Sequence, residues 1–130
     1  MTDRKISKPT ESELEILQIL WAHGPSTVRF VNDQLNEKRE VGYTTTLKLM
    51  QIMADKGLAI RNTESRTHIY SAAVSESDTQ EKLLKQFLNA TFRGSAMKLV
   101  MQTLGNHATS PEELDEIKAL IEKMEKDQPK

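Results

Sequence analysis

Apolar residues recur at helical spacing along most of this chain, and the pattern turns strand-like at one place only. The first helical stripe is Leu14, Leu17, Leu20 and Trp21. Before it stand Pro9 and Thr10-Glu11-Ser12-Glu13, a capping box in which the Thr10 hydroxyl accepts from the Glu13 amide while the Glu13 carboxylate reaches back. Gly24-Pro25 stops this helix after about His23. Ser26 or Thr27 caps a second helix with the stripe Val28, Val31 and Leu35, which ends in the charged run Glu37-Lys38-Arg39-Glu40. Gly42 marks the turn into a third helix, opening at Tyr43-Thr44-Thr45-Thr46 and running to Asp55-Lys56-Gly57. At about 100° per residue, Thr44, Lys48, Gln51 and Asp55 share one narrow arc, and Thr46, Leu47, Met50, Met53 and Ala54 lie across from it. One face is set to pack and the other to meet a partner.

The strand-like stretch follows at once. Leu58-Ala59-Ile60-Arg61 and His68-Ile69-Tyr70-Ser71 are short and rich in strand formers, and the residues between them, Asn62 to Thr67, are polar turn formers. Three helices and then a hairpin is the order of a winged helix-turn-helix, which sets its third helix in the DNA major groove. Beyond Ala72 the character changes. Ser75-Glu76-Ser77-Asp78 is a second capping-box pattern and leads into Leu83, Leu84, Phe87, Leu88 and Phe92. Two further helices are predicted. The first covers about Ser95 to Leu104, with Met97, Val100, Met101 and Leu104. The second covers Pro111 to Lys126, with Leu114, Ile117, Leu120, Ile121 and Met124, and opens with Ser110-Pro111-Glu112-Glu113.

The expected architecture is therefore mainly α, a winged helix-turn-helix over residues 1–73 followed by a three-helix dimerisation arm over residues 74–130. Three helices in under about 60 residues bury little apolar surface by themselves, so their stripes need either the N-terminal domain or a second copy of the chain. Size favours the second copy. The residues expected to serve dimerisation are Leu84, Phe87, Leu88, Met97, Val100, Met101, Leu104, Ile117, Leu120, Ile121 and Met124, with the division between interface and intrachain core left open.

Composition removes several chemistries. The chain has 130 residues, 37% hydrophobic and 28% charged, and no cysteine, which excludes disulfides, thiolate metal sites and cysteine nucleophiles. His23, His68 and His107 are far apart in sequence and form no ligand pair. No nucleophile set, metal set or phosphate-cradling glycine loop is present, so neither enzymatic activity nor a cofactor is expected. No run approaches the roughly 20 apolar residues that span a bilayer, and no apolar segment follows the charged N-terminus, so a cytoplasmic chain is expected.

The charge balance is nearly even. Residues 1–73 hold ten Lys/Arg against nine Asp/Glu, and the net charge of the chain is −1. What favours nucleic acid is placement: between Gly42 and Ala72, Lys48, Lys56, Arg61 and Arg66 outnumber Asp55 and Glu64. The weak net charge suits an alternative, a winged-helix module that binds protein and not DNA.

The run Thr10 to Leu17 with Leu20-Trp21, then Gly42-Tyr43-Thr44-Thr45-Thr46, then Asp55-Lys56-Gly57-Leu58 and Ile69-Tyr70, resembles the penicillinase-repressor family of bacterial regulators (BlaI/MecI/CopY type) over nearly the whole chain. The resemblance implies a homodimeric repressor whose winged helix binds inverted-repeat double-stranded operator DNA and whose C-terminal arm makes the dimer. It also implies a membrane sensor or protease encoded nearby as a further partner. Carried onto this sequence, Thr44, Thr45 and Lys48 would face base edges, Tyr43 and Lys56 would touch phosphate, and Arg66 at the wing tip and Arg29 on the second helix would approach the backbone. For Thr44 and Thr45 the plainer role is helix capping, and for Lys48 a solvated face. Two departures are visible. The cysteine cluster of the copper-sensing branch is missing. Where β-lactam-responsive members carry a cleaved Asn-Phe pair, this chain reads Gln102-Thr103 after Leu99-Val100-Met101.

Overall fold

Thr10 and Glu13 open the first helix with the reciprocal bonds their spacing predicts. Thr10 Oγ1 accepts from the Glu13 N–H at 3.2 Å, and Glu13 Oε1 accepts from the Thr10 N–H at 2.9 Å. The computed structural model describes residues 8–106 and 108–128, and His107 lies outside them. Helix α1 runs Glu11–His23 and stops at Gly24, whose φ of 80° lies in the left-handed region open to glycine. Helix α2 runs Val28–Asn36, and its cap is Thr27, whose hydroxyl accepts from the Phe30 N–H at 3.1 Å.

Ser26 has another task. With Thr27 it forms β1 (Ser26–Thr27), which pairs antiparallel with β3 (Ile69–Ala72), Ser26 opposite Tyr70. Two residues carry no periodicity, so this strand has no signal in the hydrophobic pattern. On its other side β3 pairs antiparallel with β2 (Ala59–Asn62), giving the order β1-β3-β2.

Helix α3 spans Tyr43–Asp55. Both hairpin strands begin one residue later than the pattern predicts, and for β2 the cause is the end of α3. The Gly57 N–H donates to the Ala54 carbonyl and the Leu58 N–H to the Met53 carbonyl, the two bonds of a Schellman motif, with Gly57 at φ 84°. Leu58 thus belongs to the helix cap. The core joins Ile16, Leu17 and Leu20 of α1, Val28, Val31 and Leu35 of α2, Met50 and Met53 of α3, and Leu58, Ala59 and Tyr70 around the hairpin.

Three helices follow, α4 (Glu76–Phe92), α5 (Ala96–Asn106) and α6 (Pro111–Asp127), and the fold is mainly α as expected. Ser110 and Glu113 form the predicted capping box of α6, with Pro111 in its first turn. The described residues form two compact units that divide between Leu84 and Lys85, inside α4. Contacts across residue 73 tie the start of α4 to the first unit. Trp21 Nε1 donates to the Val74 carbonyl at 2.9 Å, the Val74 side chain packs on the core, and Thr79 is buried. In the second unit no described residue is fully buried. Leu84, at the end of the first unit, is likewise exposed. Phe87, Met97, Val100, Met101, Leu104, Leu120, Ile121 and Met124 are exposed, and Leu88 and Ile117 are half-buried.

Candidate nucleic-acid interface

Helix α3 buries one face completely. Thr46, Met50 and Met53 have no exposed surface, which turns Thr44, Thr45, Lys48, Gln51 and Asp55 to solvent. The N-cap of α3 is Gly42, which has no side chain to bond the first-turn amides. Thr44 and Thr45 therefore do not cap this helix. The N–H groups of Tyr43, Thr44 and Thr45, the first three residues, have no acceptor within the helix and carry the positive end of its dipole. An anion meeting this end finds unfilled donors.

Flanking that end is a cationic groove. Arg29, on the first turn of α2, lays its guanidinium over the Tyr43 ring with 5.1 Å from Cζ to the ring centroid. Arg29 and Tyr43 line the groove together with Arg66, Thr67 and His68 of the hairpin. The fold thus gathers three residues named from sequence, Arg29, Tyr43 and Arg66, from three elements. Thr44, Thr45 and Lys48 lie beside it on the open face of α3. The stacking of Arg29 on Tyr43 and the parts played by Thr67 and His68 were not visible in the sequence, because the partners are distant in the chain and belong to no periodic pattern.

Lys56, named from sequence for a phosphate contact, forms an ion pair within the fold. Its Nζ lies 2.7 Å from Glu13 Oε1, and the two side chains are 25% and 3% exposed. Glu13 thus serves both the cap of α1 and Lys56. Burial pushes the Glu13 carboxyl upward, but the hydrogen bond and charge of Lys56 and the bonds from Thr10 outweigh it and hold the carboxyl below its ordinary value. Lys56 joins two helix ends in the fold.

The penicillinase repressor family model matches residues 9–123. The chain belongs to that family. Its members are transcriptional repressors and not enzymes. The chain is similar to the penicillinase repressor of Bacillus licheniformis, 26% identical over 119 residues that cover 92% of this chain and 93% of the relative. It is also similar to the methicillin resistance regulatory protein MecI of Mammaliicoccus sciuri, 23% identical and covering 93% and 98% of the two chains. Among solved structures, the DNA binding domain of the repressor BlaI superposes with a TM-score of 0.51 at 24% identity, covering 58% of this chain and 93% of that one. The Bacillus licheniformis BlaI monomer in complex with the blaP half-operator gives 0.50 at 24% identity, covering 57% and 90%. These likenesses give the winged-helix fold of the N-terminal part. No helix among the described residues is long and apolar enough to cross a membrane.

Proposed function

We infer that this chain is a homodimeric repressor that binds inverted-repeat operator DNA with α3 in the major groove. The observation that carries the reading is the open first turn of α3. Its amides lack a side-chain cap, Thr44 and Thr45 stand exposed on it with Lys48 exposed one turn further on, and Arg29, Tyr43 and Arg66 line a groove beside it. Hydroxyls and an ammonium at this end of a recognition helix suit base edges, while the two guanidinium groups and the free amides suit phosphate oxygens. The solution structure of a Bacillus licheniformis BlaI monomer in complex with the blaP half-operator supports the same use of the fold here.

The dimer reading rests on the second unit. Its described apolar side chains have no buried core of their own, and an exposed apolar surface of this extent is relieved when a second copy covers it. A membrane sensor or protease encoded nearby would then be the partner that disturbs the arm.

A gel-shift with the full chain, its own upstream DNA and a scrambled duplex of equal length tests the reading. Retardation of the upstream DNA at concentrations that leave the scrambled duplex free is the expected result. Equal retardation of both contradicts sequence-specific operator binding, and retardation of neither returns the protein-binding alternative.

A further inference from the structure

The turn between α2 and α3 is held by two asparagine side chains. Asn32, 7% exposed, donates one Nδ2 hydrogen to the Val41 carbonyl at 3.0 Å and the other to Thr46 Oγ1 at 2.8 Å. The Thr46 hydroxyl passes its own hydrogen to the Gly42 carbonyl at 3.4 Å. One turn along α2, Asn36 donates to the same Val41 carbonyl at 2.9 Å and accepts from the Val41 N–H at 3.1 Å. The N–H and carbonyl of Val41 and the carbonyl of Gly42, the two residues before α3, are thus bonded by side chains of α2 or by a hydroxyl bonded to α2. Val41 is itself buried.

Such an arrangement is costly to keep for stability alone, because a buried amide and hydroxyl contribute little net when satisfied and cost much when one partner is lost. Its geometric effect is specific. Thr46 follows Thr44 and Thr45 directly, so the register of the exposed first turn depends on where Asn32 holds the Thr46 oxygen. Arg29 sits on the same α2, stacked on Tyr43. Backbone anchor and base-facing turn are therefore parts of one rigid piece.

We propose that Asn32, Thr46 and Asn36 are positioning residues for sequence discrimination: they touch no DNA, and they fix the first turn of α3 on α2 so that Thr44, Thr45 and Lys48 meet base edges in one register. This deepens the operator-binding reading and rests on it. Loss of one hydrogen bond in the chain lets the turn shift, which weakens base contacts that tolerate little displacement and spares phosphate contacts that tolerate more.

The test uses the full chain in three variants. Thr46→Val keeps the side-chain shape and removes the acceptor. Thr46→Ser keeps the acceptor. Asn36→Ala cuts the outer bonds at an exposed position where the core is untouched. Each is titrated with the chain's upstream DNA and with a scrambled duplex, at a temperature where circular dichroism shows it fully folded. Thr46→Val is expected to lose about tenfold in preference for the upstream DNA, Asn36→Ala about threefold, and Thr46→Ser almost none, with affinity for the scrambled duplex within about twofold throughout. A role in folding alone lowers the melting temperature and leaves the preference intact, and that result in Thr46→Val and Asn36→Ala overturns the proposal. Hydrogen exchange without DNA separates the two readings. Faster exchange at the Thr46 and Leu47 amides relative to Met53 is expected in Thr46→Val and Asn36→Ala, and unchanged exchange in both overturns the clamp whatever the DNA result. A wild-type chain with no preference for its upstream DNA overturns the operator reading instead.

Discussion

Lys56 Nζ and Glu13 Oε1, 2.7 Å apart, tie the C-terminal cap of α3 to the N-terminal cap of α1. Glu13 is almost wholly buried, so removing its cation leaves a carboxylate with too few partners. Lys56→Met, which keeps the aliphatic stem, is expected to destabilise the chain by about 1–3 kcal/mol, less than a fully buried pair because Lys56 is partly solvated. Urea unfolding measures the loss. Affinity for DNA per folded molecule is expected to stay at the wild-type level.

The same pair gives an acid-side signature. The Glu13 carboxyl titrates below its ordinary value in the folded chain. Its contribution is therefore complete above the unfolded carboxylate range and is lost as the pH falls through that range to the lower folded value. Unfolding midpoints measured from about pH 6 down to about pH 3 should fall more steeply for the wild type than for Glu13→Gln. Parallel curves would remove Glu13 from the acid transition.

Contacts in the groove and on the face of α3 differ in what they report. Lys48→Ala and Thr45→Ala are each expected to cost about 1–3 kcal/mol on operator DNA and to reduce discrimination. Arg66→Ala and Arg29→Ala are expected to weaken all duplexes alike and to reduce the slope of log affinity against log salt by about one phosphate's worth. Titrations at several salt concentrations separate the two classes. An unchanged operator affinity in Lys48→Ala would remove it from the interface.

The division inside α4 sets where the arm can be cut. A chain ending at Leu84 retains Val74, which accepts from Trp21 Nε1, and the buried Thr79. It is expected to sediment as a folded monomer and to lose about a hundredfold to ten-thousandfold in apparent affinity for a two-half-site operator. A chain ending at Ala73 loses those contacts and is expected to be less stable by about 1–2 kcal/mol. Equal stability of the two would place the boundary at Ala73 after all.

The helices were legible because their signals are local. Thr10 with Glu13, Ser110 with Glu113 and the packed arc of Thr46, Met50 and Met53 are fixed by spacings of a few residues. What was not legible depends on residues far apart in the chain. Lys56 reads as a free cation until the fold brings it to Glu13, 43 residues away. Asn32 reads as a polar residue on a helix until Val41 and Thr46 close around its amide. The strand β1 exists only because Tyr70 arrives opposite Ser26. At the candidate interface, sequence supplied Arg29, Tyr43 and Arg66 as separate cations and a ring, and the fold supplied their grouping.

Footprinting of the full chain on its own upstream DNA tests the central claim most directly, because it reads the winged helix and the dimer in one experiment. The expected pattern is two protected half-sites related by a two-fold axis, with centres about one helical turn, or a whole multiple of it, apart on one face of the duplex. A single unrepeated half-site, or no protection at concentrations at which the chain is folded and in large excess over the DNA, would contradict it.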